Sequence, residues 1–532
     1  KQVVTVGKES IRDVSRYTNF PLYSNARAYI VSMPQVNSGY FIDYKIKIYK
    51  SKLVNKKDFS TIYRFYEPYP ILNSKIIFRV PKNRDVNFTV LNKEYLPDDF
   101  VITPQKREVE NNIEYEYIFN NISQLVPESN MVYESFVNPG VLFSTFKSWD
   151  EYYKWWTDLY KDKLVLNKEM KDFLDDLLKK AESDKEKARL IYEFCSQKIR
   201  YVAIEYGEAG YEPHKSDEVF FNRYGDCKDQ AILLVALMRS AGLKAYPVLI
   251  PTKDVYNLRK ESVASYFNHA IACVMLDNKL IFMDPTSSTA GFNVLPLGDQ
   301  DRDVLVFYED KYEIVKTPLQ ESNLLYSNMQ INIDDNDRVV VKRSLEYSGI
   351  WAAAYRAYYK NTPPTVIKDN VQTKMRSWAS LAQLNSLKIE NIEDFTKNPI
   401  LTYEFTASNF LSNAQKMRIL PVLGEECVNA SFIDKDKRKY PLDLDGLYTI
   451  KANVEITLPK SLNVLYLPEN LSVSSKWGDL FIKFTHTKNK IKFEQDFKIK
   501  TDIVNEKQYE EFKRCMEDIL YKSKQQAILI KN

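Results

Sequence analysis

Three residue types that together carry out acyl transfer stand in order near the middle of this 532-residue chain. The first is Cys227, in the stretch Tyr224-Gly225-Asp226-Cys227-Lys228-Asp229-Gln230, which runs straight into the apolar residues 231–238. Gly225 permits a tight turn, Asp226 is a good N-cap, Asp229 can reach back toward the cap, and Gly242 supplies a stop. The pattern predicts a buried helix with a cysteine in its opening turn. Helix dipole and free backbone N–H groups favour a thiolate there, and the same N–H groups could cradle an oxyanion. A lone cysteine at a helix start is more often a small core residue, so its downstream company has to decide. His269 opens the apolar run 269–276, Asp277-Asn278-Lys279 turns the chain, and residues 280–286 read as the returning strand. In such a hairpin the start of the first strand lies beside the end of the second, so His269 and Asp284 meet at one rim. Cysteine, histidine and aspartate are the nucleophile, base and orienter of acyl transfer through a thioester.

The chain around them is too long for one core and should divide into three or four domains. With 44% apolar and 13% aromatic residues it can fill those cores. The 75 Lys+Arg nearly balance the 71 Asp+Glu with no basic block, which argues against a nucleic-acid partner. The longest apolar run, 231–238, is far short of the roughly 18 residues of a membrane span. The chain starts at Lys1 rather than Met, so an upstream segment, which could have been a signal peptide, is expected to have been removed. Five cysteines without a CxxC pair indicate neither a disulfide framework nor a zinc site, and no metal or cofactor is expected. Of the three histidines, His214 is read as a solvated loop residue and only His269 has a strand-end aspartate for company.

Positioning the three residues falls to the elements on either side. From about residue 40 to 121, short alternating strands such as Tyr44-Lys45-Ile46-Lys47-Ile48 and Glu114-Tyr115-Glu116-Tyr117-Ile118 suggest an antiparallel β-sandwich. Ser148-Trp149-Asp150 then caps a helix whose tryptophans are read as packing, and two more helices follow between residues 167 and 200, placing Cys195 in a core stripe. Residues 201–224 read as a loop, 244–250 as a strand, and 251–267 as a long connection able to lie over the site. Strands return beyond about 305, with a hairpin turn at 334–337, a helical interlude over 363–387, an amphipathic helix bearing Tyr509, Phe512 and Met516, and a last strand at 526–530.

Gly225-Asp226-Cys227-Lys228-Asp229, Asn268-His269-Ala270 and Asp284-Pro285-Thr286 resemble, in order and spacing, the transglutaminase-like superfamily of papain-type thiol enzymes. The resemblance implies a multidomain protein with an α+β papain-like core at 161–305, between an N-terminal β-sandwich at 1–160 and a β-rich C-terminal region at 306–532 with a helical insert and terminal helix. It implies Cys227 as nucleophile, His269 as base and Asp284 as orienter. Tyr201, Tyr206 and Tyr211 are candidates for completing the oxyanion hole, and Ile271 replaces the aromatic residue that often follows His-Ala in transglutaminases. Tyr66-Glu67-Pro68, Trp155-Trp156, Tyr440-Pro441-Leu442 and Leu458-Pro459 resemble the flanks of bacterial cell-envelope proteins carrying this core. That implies a secreted, periplasmic or envelope-associated protein acting on a protein or peptide. Thiol peptidase or amidase activity is the expected function; cross-linking acyl transfer and non-catalytic scaffolding are the alternatives.

Overall fold

The computed structural model of the chain describes residues 3–15, 27–34, 36–49, 55–98, 100, 102–203 and 210–532. In the N-terminal region, Ser60–Arg64, Gly140–Ser144 and Asn87–Leu91 form one antiparallel sheet, and Ile71–Pro81, Asn112–Ile122 and Gln105–Val109 form another. Alternating aromatic residues turn one face of each sheet toward the other. Phe78 stacks on Phe143 and Phe65 meets Phe119 edge-on, both with centroids 4.6 Å apart. Residues 44–48, expected as a strand, form none and are exposed. Alternation makes a strand only where a neighbour takes up its N–H and C=O groups, and among the described residues no strand pairs with these.

The central region begins with the helix Trp149–Tyr160, capped as expected by Ser148 Oγ, which accepts the Glu151 N–H at 3.2 Å. Helices Lys168–Leu178 and Asp184–Lys198 follow, and Cys195 is fully buried. Within the stretch read as a loop lies a short helix, Ser216–Asn222, whose Val219 and Phe220 are buried. Its three apolar residues, Val219, Phe220 and Phe221, are consecutive and show no helical period. Next comes the cysteine helix, Cys227–Ser240, which packs against an antiparallel five-stranded sheet in the order Lys279–Met283, His269–Leu276, Ala245–Ile250, Asp303–Phe307, Tyr312–Lys316. Leu234 and Leu237 of the helix share a core with Ala272 and Val274 of the sheet.

Beyond it an eight-stranded sheet runs from Gln383–Glu390 at one edge to Leu471–Ser474 at the other. The acidic turn at 334–337 closes one of its hairpins, the Asp334 N–H donating to the Arg338 carbonyl at 2.9 Å. The helical interlude is displaced from its expected position: helices Gly349–Asn361 and Pro364–Trp378 are followed by a strand from Gln383. Alternation over 383–390 is weak because this edge strand buries little on either face. The terminal helix Tyr509–Ser523 buries Tyr509, Phe512, Met516 and Ile519, and Ile528–Lys531 adds a strand to a smaller sheet. No helix among the described residues is long and apolar enough to cross a membrane.

Candidate active site

The Cys227 end of its helix is fixed by a reciprocal cap. Asp226 Oδ1 accepts the Asp229 N–H at 3.3 Å, and Asp229 Oδ2 accepts the Asp226 N–H at 3.1 Å. Gly225 is required by close approach rather than by a left-handed backbone, since a Cβ on it would lie 2.7 Å from Asp229 Cβ. Two further partners reinforce the cap. Lys228 places its ammonium on buried Asp226, and His214 donates its backbone N–H to Asp229 Oδ1 at 2.8 Å with Nδ1 3.1 Å from Oδ2. His214 is therefore a buttress of the helix start, its side chain still 43% exposed. Burial, then the charge of Asp229, pushes Asp226 up to about 6. Burial would also raise Asp229, but the His214 hydrogen bond and the Lys228 charge hold it below its ordinary value.

On the sheet, the register puts Ala272 opposite Met283 and brings His269 and Asp284 to one rim. His269 Nε2 lies 3.3 Å from Asp284 Oδ1, and the same ring interacts with the Cys227 side chain. The structure thus brings Cys227, His269 and Asp284 into one hydrogen-bonded chain. Asp284 Oδ1 further accepts the Thr286 N–H at 2.9 Å and the Thr286 hydroxyl at 2.7 Å. Burial alone would lower His269, yet the charge and hydrogen bond of Asp284 raise it well above the ordinary imidazole value. The converse holds for Asp284, which burial would raise and the imidazolium keeps low. Cys227 and His269 are the less buried end of this chain, at 8% and 15%.

They lie in a cleft of about 240 Å³ lined also by Tyr152, Trp156, Tyr211, Phe267 and Lys228. Tyr152 and Trp156 come from the helix Trp149–Tyr160, whose tryptophans are expected to pack. They do pack, both being nearly fully buried, but they also form a cleft wall. Of the tyrosines considered for the oxyanion hole, Tyr211 lines the cleft, Tyr201 belongs to a two-residue ladder with 224–225 and does not line it, and Tyr206 lies outside the described residues. The 251–267 connection supplies Ser265 and Phe267 to the cleft. It is tied to the N-terminal sheets: Ser144 Oγ donates to the Val263 carbonyl at 2.6 Å, and the Ser265 N–H donates to Ser60 Oγ at 3.0 Å. Sequence reading missed a further acid, Asp299, whose carboxyl lies in one cluster with His269 and Asp284, one nitrogen or oxygen of each within 4.8 Å of the others. It sits in a short turn, Leu297–Asp299, with no motif to announce it.

Residues 171–285 match the model of the transglutaminase-like superfamily. The chain carries a transglutaminase-like domain. On either side of it, residues 1–124 and 415–529 match two domains of unknown function, DUF3857 and DUF3858. Among solved structures, the chain is similar to one described as a putative protease from Parabacteroides distasonis, at a TM-score of 0.65 and 12% identity over 99% of this chain and 86% of that one. This likeness extends the shared fold across all three regions. A second, described as a putative cysteine protease from Cytophaga hutchinsonii, matches 43% of this chain and 78% of that one at 11% identity, with a TM-score of only 0.19. No curated protein matches.

Proposed function

We propose that the transglutaminase-like domain is a thiol peptidase or amidase working through Cys227, His269 and Asp284. The observation that carries this reading is the hydrogen-bonded chain from a cysteine at a helix N-terminus, through an imidazole, to a buried carboxylate, with the cysteine end open to a cleft. The thiolate of Cys227 attacks the amide carbonyl carbon, and the developing oxyanion is met by the first-turn N–H groups of the cysteine helix. The C–N bond breaks as the His269 imidazolium gives its proton to the leaving amine, which leaves a thioester. Water then attacks the thioester, His269 takes its proton, and the acid and the free thiol are released. Asp284 keeps Nε2 engaged throughout, so that Nδ1 faces the sulfur. The envelope location implied by the flanking domains belongs to the same proposal and is tested by cell fractionation.

Two measurements test the activity. Iodoacetamide at neutral pH should label Cys227 well ahead of Cys195, Cys273 and Cys427. All three are buried, and burial raises each thiol, Cys427 to about 12. A fluorogenic peptide library should then give turnover that is abolished in Cys227→Ala. Turnover surviving in that variant removes the thiol mechanism, and unselective labelling with no turnover returns the scaffold reading. Incorporation of a fluorescent primary amine in preference to hydrolysis would reassign the chemistry to acyl transfer.

A further inference from the structure

Behind the triad stands an acid that the mechanism does not use. Asp299 is only 2% exposed, and its Oδ2 is buried with no hydrogen-bond donor on it. Among the described residues no Lys or Arg comes within ion-pair distance of it. Its carboxyl instead lies beside that of Asp284, with an oxygen of each within 4.8 Å. Two buried carboxyl groups in contact cannot both be charged cheaply, so one of the pair holds a proton. The donors decide which. Asp284 Oδ1 takes three, from His269 and twice from Thr286, and so keeps its charge. Asp299 has none. We propose that Asp299 is a positioning residue that, while protonated, donates its O–H to the Asp284 carboxylate, limiting how strongly that carboxylate holds the proton on His269. This rests on the thiol-enzyme reading above and adds a fourth member to its relay.

The groups around Asp299 agree with that assignment. From the hairpin it faces Asp284 and His269, and from the 251–267 connection it feels Asp254. From the helix Asp184–Lys198 comes Tyr192, whose hydroxyl is committed to the carbonyls of Asp284 and Ala290, both at 3.3 Å. Lys253, whose N–H donates to the Gly298 carbonyl at 2.9 Å, directs its charge to Asp443 and Asp445. Burial, then the charge of Asp284, lifts Asp299 to about 7, with His269 opposing. The acid therefore changes state in the range where a thiol enzyme works. Once it ionises, a second negative charge faces His269 and the imidazolium gives up its proton at higher pH.

Asp299→Asn keeps a donor toward Asp284 and cannot ionise, whereas Asp299→Ala removes both properties. The test follows the rate of Cys227 alkylation by iodoacetamide from pH 4.5 to 9 in the full chain. It adds infrared difference spectra between pH 6 and 8 to observe the carbonyl stretch of a protonated carboxylic acid. The Asn variant should label within about threefold of wild type at pH 6, with its alkaline limb lower by at least about half a pH unit. The wild-type spectrum should lose a carboxylic-acid band over that interval which the Asn variant lacks. The Ala variant, where it folds, should label no more slowly than Asp299→Asn at pH 6, with its alkaline limb above that of Asp299→Asn. Superimposable limbs and identical spectra for wild type and Asp299→Asn overturn the proposal. A change in the wild-type profile on dialysis against EDTA overturns it too, by showing a metal where the proton is placed. Failure of Cys227 to outpace Cys515 in the wild type would instead count against the thiol-enzyme reading, while the infrared band still reports on Asp299.

Discussion

At the scale of single residues, the His269–Asp284 pair ties stability to pH in both directions. Asp284 is held below its unfolded value, so its contribution is present above about pH 4 and is lost as pH falls through the lowered folded-state value. His269 is held above its unfolded value, so its contribution is present below about pH 6.5 and is lost as pH rises through the raised one. Asp284→Asn keeps an oxygen for the Thr286 donors but loses the charge. The variant should be less stable than wild type by about 2 kcal/mol between about pH 4 and 6.5, the gap narrowing on both sides. Melting temperatures at four or five pH values check this, and a pH-independent gap would mean that the pair is not charged. Turnover should fall about 10- to 1000-fold, less than the equivalent change in a serine triad because a thiolate depends less on a base to form. Cysteine, histidine and aspartate could be read from sequence because each sits beside its own local signal: a cap, a strand start, a strand end. Asp299 could not, because it reaches Asp284 from a turn 15 residues on, and proximity of that kind is created only by folding.

At the scale of elements, the Cys227 end of its helix is closely determined by local sequence. Asp226, Asp229 and Gly242 are helix-end signals that act within one turn, and the structure carries all three, Gly242 with φ +82°. Gly225 illustrates what a local rule leaves out. It reads as a turn glycine, yet what it supplies is an empty space into which Asp229 folds back to complete the cap, 3.2 Å from Val219 Cγ1 on the other side. A methyl group there must push the Asp229 side chain or the Ser216–Asn222 helix away. Gly225→Ala is expected to cost about 1–3 kcal/mol in denaturant unfolding of the central region and to slow Cys227 alkylation severalfold. Unchanged stability with unchanged labelling would mean that the cap tolerates the displacement. The elements that escaped sequence reading share a different cause. Residues 44–48 alternate but pair with no strand among the described residues, Ser216–Asn222 is too short to show a period, and Gln383–Glu390 is an edge strand with little buried on either face.

At the scale of the whole molecule, the flanking strands help to build the cleft. The connection from 251 to 267 passes beside Cys227 and is fastened along its length to parts of the chain far away in sequence. Thr89 and Ser262 share a hydroxyl hydrogen bond at 2.7 Å, the Tyr256 hydroxyl donates to the Asn138 carbonyl at 2.9 Å, and Trp149 Nε1 donates to the Lys260 carbonyl at 2.9 Å. Trp149 also packs against Tyr152, Tyr266 and Phe267, so one side chain joins the bridging helix, the connection and the cleft wall. Trp149→Phe keeps most of that apolar contact and removes the N–H, leaving the Lys260 carbonyl without its donor at a cost of about 1 kcal/mol. A loss of that size, confined to one anchor, should appear as local opening rather than global unfolding. Amide hydrogen exchange of the variant should therefore quicken severalfold over residues 258–266, including the Ser265 N–H held by Ser60, while the Cys227–Ser240 helix exchanges as in wild type. Cys227 alkylation should stay within about twofold, because none of the residues that hold its helix start touches Trp149. KM for any peptide found in the library screen should rise with kcat little changed, since a peptide bound in the cleft would meet the wall, which holds none of the three proposed proton-transfer groups. Exchange that stays at the wild-type rate over 258–266 would show that the remaining fastenings hold the wall without Trp149. Faster exchange spreading into the cysteine helix would show that wall and nucleophile open as one unit, and the N-terminal sheets would then support the reactive thiol as well as the cleft.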